Sequence, residues 1–592
     1  MRKGTAEKFR RDLTILLGLS IVYLGFAWFV TNSYYQLILT LVPIWAAFSV
    51  SWNILSGYAG QLSFGHASFF GIGGYTMTLA LVWWDITPWL GIPLGMIVAG
   101  AAAVVIGVPT FRLRGHYFAL SMLAYPLAIL YFLQYFGLAE VTLPMHRENP
   151  AAYLEFTDPR YNTLVAVGLL AIAVFVCILI ENSRFGLALL AIRQNELAAE
   201  AAGIDSKTWK MRALVVSGMI AAAAGGFYAC VQLVVTPDST FGMLVSAQPV
   251  VMTLFGGVAS LWGPVIGAAF LVPLSKFLDA FASDITLWGM QFHGIQGVVY
   301  GGVVIAIILS APDGVFWTVR DRFFKPKAAA PLPPMKPAPI VAASDVAPGA
   351  PLMVVDGLSK SFGGLRAVNN VGFTIAKGEI LGIIGPNGAG KTTLFNLLNG
   401  VLPADEGTAT LAGQTMLGKK VHEVCRMGVG RTFQVVRSFP RLPLIDNVIV
   451  GAYGAGLTDQ EAEDEAVRAL HRVGLADQAS LAAGQLTNKQ LRLMELARAL
   501  AGRPRVLLLD ETLAGLGREE CDDVLDVLNR LRDEGMTIGI IEHTMHAMLR
   551  IADRFVVLNY GAVLAEGPPR EVVENRTVIE AYLGKKWLAK HA

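Results

Sequence analysis

The sequence predicts two fold classes in one chain: an N-terminal all-α polytopic membrane domain of about ten spans, then a C-terminal α/β domain built on a phosphate-binding loop. Three observations carry this. Of 592 residues, 54% are hydrophobic and only 16% charged, whereas soluble domains carry about 25% charged residues. The apolar residues gather in successive segments of membrane-spanning length between Leu13 and Leu309. Beyond residue 352 short β-rich runs alternate with helical stretches, and one run leads into Gly385-Pro386-Asn387-Gly388-Ala389-Gly390-Lys391-Thr392-Thr393.

A membrane-crossing helix needs roughly 17–25 apolar residues. Segments of that kind fall near 13–30, 37–55, 64–83, 89–108, 117–136, 163–180, 213–235, 245–260, 264–281 and 295–311. The third and eighth are short or glycine-broken, which suits discontinuous helices lining a cavity. The first follows Arg2, Lys3, Lys8, Arg10 and Arg11 and is long enough to read as a retained span rather than a cleaved leader. Basic clusters recur at Arg112 and Arg114, from Arg184 to Arg212, and from Arg320 to Lys327, while 31–36, 84–88 and 137–162 are poor in Lys and Arg. Ten spans put every basic cluster on one face, as the positive-inside rule requires, and place both the N-terminus and the C-terminal domain in the cytoplasm.

Between the halves, residues 325–351 are rich in proline and alanine and read as an extended tether. This divides the chain into 1–324, the linker, and 352–592. Cys177, Cys230, Cys425 and Cys521 are scattered without metal spacing and read as reduced packing residues. A net charge of +2 gives no reason to expect a nucleic-acid partner.

The glycine-rich stretch stands between the apolar run Ile380–Ile384 and a helix expected to begin near Thr393. In that setting G-x-x-x-x-G-K-[ST] binds a nucleoside triphosphate. The glycines let backbone N–H groups close on phosphate, Lys391 supplies a point charge, and the Thr392 hydroxyl is placed for Mg²⁺. The strand-like run Val506–Leu509 ends in Asp510, which can reach the Mg²⁺ shell, and Glu511, which can polarise an attacking water. Gln434 is spaced to report on the γ-phosphate and to join the metal's ligands. His543, after Thr537–Ile541, is placed to meet that phosphate or to orient Glu511.

Taken together, these signatures resemble the ATPase domain of ATP-binding-cassette (ABC) transporters across about 353–584, with Phe362 matching the family's adenine-stacking aromatic residue. Arg431-Thr432-Phe433-Gln434, Asp446-Asn447-Val448, Ala514-Gly515-Leu516, Ile541-Glu542-His543 and Ala581-Tyr582-Leu583-Gly584 are similar to the ATPase subunits of branched-chain amino-acid importers. Two positions depart from that pattern. The signature Leu-Ser-Gly-Gly-Gln reads Leu486-Thr487-Asn488-Lys489-Gln490, and Thr512 stands where the family more often has proline.

The membrane half resembles the permease of the same importers over nearly all of 1–320. The resemblance is carried by Asn53-Ile54-Leu55-Ser56-Gly57-Tyr58-Ala59-Gly60-Gln61-Leu62-Ser63-Phe64-Gly65-His66, Arg112 to Gly115, and Gly256 to Pro264. It departs at Thr142 to Pro150, where the family tends to a glycine-rich loop. Polar groups at bilayer depth are costly unless paired, so Asn53, Gln61, Ser63 and His66 either line a solute pathway or hold the bundle together. Residues 183–203, with Glu196, Glu200 and Gly203, resemble the coupling loop by which ABC permeases touch their ATPase.

The resemblance implies an ABC-type importer subunit that fuses permease and ATPase in the inner (plasma) membrane. It implies ATP and Mg²⁺ as cofactors, a second permease and a second ATPase (separately encoded or a second copy), and an extracytoplasmic solute-binding protein. Branched-chain or related amino acids are the leading solutes. Urea, amides or small carboxylates are alternatives within the class, and an ATP-dependent membrane sensor is the alternative outside it.

Overall fold

The computed structural model describes residues 3–113, 115–146, 148–282, 286–287, 290–291, 298, 301–302, 305–306, 309–323 and 346–583. The chain forms two compact units. One comprises residues 3–193 and 207–327, the other 194–206 together with 328–592.

The first unit is a helical bundle. Among the described residues, seven helices are long and apolar enough to cross a membrane: Ala6–Phe29, Ser33–Tyr58, Pro88–Thr110, His116–Tyr135, Pro159–Glu181, Ser206–Gln232 and Pro237–Gly256. Two of the remaining expected segments form the helices His66–Trp84 and Gly263–Ala282. The last, 295–311, lies largely outside the described residues. His66–Trp84 is packed inside the bundle: thirteen of its residues are buried, and a Cβ on Gly73 would stand 2.1 Å from the carbonyl oxygen of Ala222. That close backbone approach needs a small residue at the crossing. Buried polar groups add to the packing. Thr40 and Thr163 pair through their hydroxyls at 2.8 Å, and the Gln36 amide donates to the carbonyls of Ala27 and Val30.

In the second unit, a six-stranded sheet runs in the order Val429–Arg431, Val506–Asp510, Thr537–Ile541, Ile380–Ile384, Arg554–Asn559, Ala562–Gly567, with only the last strand antiparallel. Ile380–Ile384, Val506–Asp510 and Thr537–Ile541 are buried at every position. Strands covered on both faces read as continuous apolar runs, which is why the sequence shows them. A four-stranded antiparallel sheet, Leu365–Ala376, Pro351–Phe362, Glu406–Leu411 and Gln414–Thr415, completes the unit. Because neighbouring strands run parallel, their carboxyl ends meet at one edge. There Ile384 enters the phosphate loop and Asp510 ends its strand, the edge where open α/β sheets bind ligands.

Candidate functional site

The phosphate loop joins Ile380–Ile384 to the helix Lys391–Leu398, which starts two residues before the expected position. Gly390 has φ +96°, and a Cβ there would lie 2.2 Å from the Ala367 carbonyl oxygen, so the turn admits only glycine. The buried Lys391 ammonium donates to the carbonyls of Gly385 at 2.7 Å and Pro386 at 3.0 Å. Burial holds its pKa below the ordinary lysine value, against the opposing pull of Glu511 and Asp510. A helix N-terminus behind such a loop adds partial positive charge for phosphate.

Glu511 is the hub of the site. It takes a left-handed backbone conformation, φ +49°, unusual for a residue with a side chain. Its amide is tied to the Ile541 carbonyl at 2.9 Å. Its carboxylate accepts from the Gln434 amide at 2.9 Å on one oxygen and meets His543 Nε2 at 2.7 Å on the other. Phe362 is half exposed at the end of its strand, with the Lys360 ammonium 5.7 Å from its ring.

Asp510 is almost wholly buried. Burial raises its pKa, partly offset by the Arg431 guanidinium at 3.5 Å on Oδ2. Its Oδ1 is buried with no hydrogen-bond partner. The side-chain oxygens of Asp510, Thr392 and Gln434 are hard donors of the kind Mg²⁺ takes. The sequence gives Arg431 no role beyond its place in a motif. In the fold it positions Asp510 and also donates to Asn396 at 2.7 Å. Thr512 uses its hydroxyl to meet Thr432 at 3.2 Å, a contact that proline would lack.

Glu542 is a second residue to which the sequence motifs give no role of its own. It is buried, and its carboxylate accepts from the Leu513 amide at 2.6 Å, fastening the turn after Glu511 to the strand that carries His543. Burial pushes this carboxyl up to about 7, against the lowering effect of the Leu513 and His543 amides. The folded state then holds a proton between about pH 4.5 and 7 that the unfolded chain has released, so this group makes stability fall as pH rises through that window. Glu542→Gln should flatten that slope, read as the thermal unfolding midpoint of the full chain against pH.

Residues 194–206 belong to the second unit. The short helix Glu196–Ala201, capped by Asn195, packs against Val421–Arg426 in an apolar cluster of Leu197, Ala201, Val401, Val421 and Phe433. Gly203 turns at φ +88° against Gly454, and Arg426 donates to its carbonyl at 3.1 Å. Glu200 accepts from Ser206 at 2.5 Å within the segment. Further polar contacts come from residues the sequence did not single out. Gln194 accepts from the Arg441 amide at 2.8 Å, Asn195 meets the Arg437 guanidinium at 3.5 Å, and Asp205 lies 4.0 Å from His422. Arg437 follows Gln434 by three residues and is tied by its amide to Glu495 of the helix Asn488–Ala501.

That helix begins at the odd signature. Thr487 and Gln490 form a reciprocal capping box, so both retained residues hold the helix start. Asn488 donates to the Gly515 carbonyl at 3.3 Å. The Lys489 ammonium rests on Asp523 of the helix Arg518–Asp533. An exposed pair of this kind contributes only about 0–1 kcal/mol and is easily exchanged for a better anion.

In the membrane unit, Ser33–Trp52 runs into a wide turn, Asn53–Tyr58, followed by irregular backbone up to His66. Asn53 donates to the Ser260 carbonyl at 3.0 Å and accepts from the Ala259 amide at 2.9 Å. His66 meets Ser63 at 2.9 Å and Ser217 at 3.3 Å. The Gln61 amide reaches only its neighbour's carbonyl, Ala59, at 3.5 Å. Asn53, Ser63 and His66 therefore make the hydrogen bonds that keep an irregular segment folded at bilayer depth. Gln61 is the most accessible of the four.

A phosphate loop, a strand-end Asp-Glu pair, a glutamine and a histidine converging on that glutamate, and a capped signature helix define the ATPase of an ABC transporter, here continuous with a polytopic membrane domain. The comparisons give the particular family. Residues 34–308 match the family model "Branched-chain amino acid transport system / permease component", 368–514 match "ABC transporter", and 562–586 match "Branched-chain amino acid ATP-binding cassette transporter". The high-affinity branched-chain amino acid transport ATP-binding protein BraF of Pseudomonas aeruginosa is 40% identical over 251 residues, covering 40% of this chain and 98% of that protein. LivG of Escherichia coli, with the same description, gives the same identity and coverage. A crystal structure of a nucleotide-free ATP-binding cassette from an ABC transporter aligns at 28% identity over 40% of this chain and 100% of its own, with a TM-score of 0.37. The chain belongs to the branched-chain amino-acid ABC transporter family, as a fusion of permease and ATP-hydrolysing subunits.

Proposed function

We propose that the chain imports branched-chain amino acids, driven by ATP hydrolysis on its own cassette, across the inner membrane with its ATPase unit in the cytoplasm. The observation that carries this reading is the placement of 194–206. This segment of the permease sequence packs with the ATPase unit beside Arg437, three residues from the glutamine that holds Glu511. A change at the catalytic carboxylate can thus reach the segment that continues into the helix Ser206–Gln232.

Gly385 to Thr393 cradle the phosphates and Phe362 stacks the base. Bound Mg²⁺ supplies charge neutralisation at the phosphate oxygens and would be held by Thr392, Asp510 and Gln434. Glu511, aimed by His543 and Gln434, takes the proton of the attacking water. Of Asn53, Gln61, Ser63 and His66, it is Gln61, the most accessible, that borders the solute path, while the other three hold the segment that positions it. Glu196, Glu200 and Gly203 belong to the coupling loop. One chain supplies half of the machine. A second permease, a second ATPase and an extracytoplasmic binding protein complete it. Solute-loaded binding protein should stimulate ATP hydrolysis by the complex in liposomes, and a rate indifferent to both would leave a sensor as the better reading.

The signature segment Leu486 to Gln490 closes on nucleotide held by the partner's phosphate loop. Lys489, released from Asp523, meets phosphate as a charge-assisted donor. Lys489→Glu should cut hydrolysis severely and Lys489→Gly only modestly. Equal rates for Lys489→Glu and the native complex would mean that Lys489 does not face nucleotide.

The expected linker, 325–351, lies outside the described residues up to 345. Its last residues join the ATPase unit, where Lys377 bonds Val346 and Gly349. The part before 346 is proposed to serve only as a leash between 1–324 and 352–592. Cleavage at an inserted protease site after assembly should leave transport within about twofold of the uncut complex.

A further inference from the structure

Four helices of the membrane unit enclose a cavity of about 380 Å³ whose lining includes no residue of 53–66. Each helix contributes: Trp45 from Ser33–Trp52, Gln232 from Ser206–Gln232, Gln248 and Val251 from Met243–Gly256, Leu271 and Lys276 from Gly263–Ala282. Ser206–Gln232 rises about 1.5 Å per residue, so Gln232 stands roughly 39 Å along it from Ser206. The cavity therefore lies at the C-terminal end of that helix, the end that the ten-span topology places outside, where an incoming solute would first enter the bundle.

Its volume falls within the roughly 300–1,000 Å³ of small-ligand sites, which pair apolar walls with a few placed polar groups. Trp45 is a fixed wall, stacked on Phe70 at 5.6 Å and edge-on to Tyr228 at 5.7 Å. Val251 and Leu271 extend the apolar surface. Within this lining the Gln248 side-chain oxygen is buried and has no hydrogen-bond partner. A buried amide oxygen is ordinarily satisfied, and one left without a protein partner in an apolar surround is costly unless a bound group meets it. Lys276 adds a basic side chain to the same lining.

We infer that this cavity is a solute subsite for a small zwitterion with an aliphatic side chain. The ammonium donates to the Gln248 oxygen, the carboxylate lies toward Lys276, and the aliphatic chain packs on Trp45, Val251 and Leu271. This inference rests on the import reading above and assigns that solute a place in the permease.

The test uses the complete transporter complex in proteoliposomes, with Val251→Cys and Val251→Phe in the full chain and L-leucine and L-alanine as probes. Saturating L-leucine should slow modification of Val251→Cys by a membrane-impermeant thiosulfonate at least fivefold, relative to D-glucose. Val251→Phe, by narrowing the apolar end, should lower uptake of leucine relative to alanine about tenfold. If Val251→Phe does not assemble, the protection measurement on Val251→Cys decides. Native uptake with no leucine protection and an unchanged leucine-to-alanine ratio would overturn the subsite but leave the import reading standing. Failure of the native complex to move either amino acid would overturn that reading and the inference with it.

Discussion

Replacing Glu511 with glutamine should lower ATP turnover by on the order of 10²-fold or more while nucleotide still binds. Glu511 is the carboxylate in this site held from two sides, by the Gln434 amide and by His543, on a backbone whose left-handed turn is fixed through the Ile541 carbonyl. A strained conformation persists only where its surroundings over-determine it, and here three contacts do so. The amide of glutamine is nearly isosteric, so it keeps the shape of the loop but cannot accept the water's proton. A positioned general base contributes roughly 10²–10⁴-fold. Phosphate contacts come from Gly385 to Thr393 and are untouched by the change, so nucleotide affinity, measured by fluorescent-analogue titration, should move by less than about threefold. A native rate in Glu511→Gln would show that the base lies elsewhere.

Gly203→Val should uncouple the two activities, abolishing most solute uptake while ATP hydrolysis persists. Gly203 sits at φ +88°, where a β-branched residue is strained, and a Cβ would stand 2.8 Å from Gly454 Cα. The contact is reciprocal, because a Cβ on Gly454 would lie 1.6 Å from the Ala202 carbonyl oxygen. Two backbones therefore approach where neither can carry a side chain, and valine forces 194–206 away from the ATPase surface. Uptake should fall at least tenfold in Gly203→Val and also in Gly454→Val, with solute-independent hydrolysis within about twofold of native. Full uptake in both variants would mean that this contact transmits nothing.

Much of this arrangement was legible because burial leaves a strong mark on sequence. Ile380–Ile384 and Thr537–Ile541 were read at their observed limits, being continuous apolar runs bounded by turns. Strands of the antiparallel sheet were harder. Leu365–Ala376 carries Asn369, Asn370 and Gly372, and Asn370 takes φ +50°, so its local propensity argues against a strand that tertiary pairing with Pro351–Phe362 imposes. Val429–Arg431 is too short to show a period. At the site, residues with a motif were found and residues that position them were not. Arg431, Glu542, Gln194 and Asn195 act through contacts across sequence separations of 29 to 247 residues, which no local pattern reports.

Labelled leucine uptake into proteoliposomes containing the complex and its binding protein tests the central claim most directly. Leucine should accumulate above its external concentration only when ATP and Mg²⁺ reach the cassette, and Glu511→Gln should hold it at or below equilibrium. Accumulation that proceeds equally without ATP, or survives undiminished in Glu511→Gln, would contradict the account.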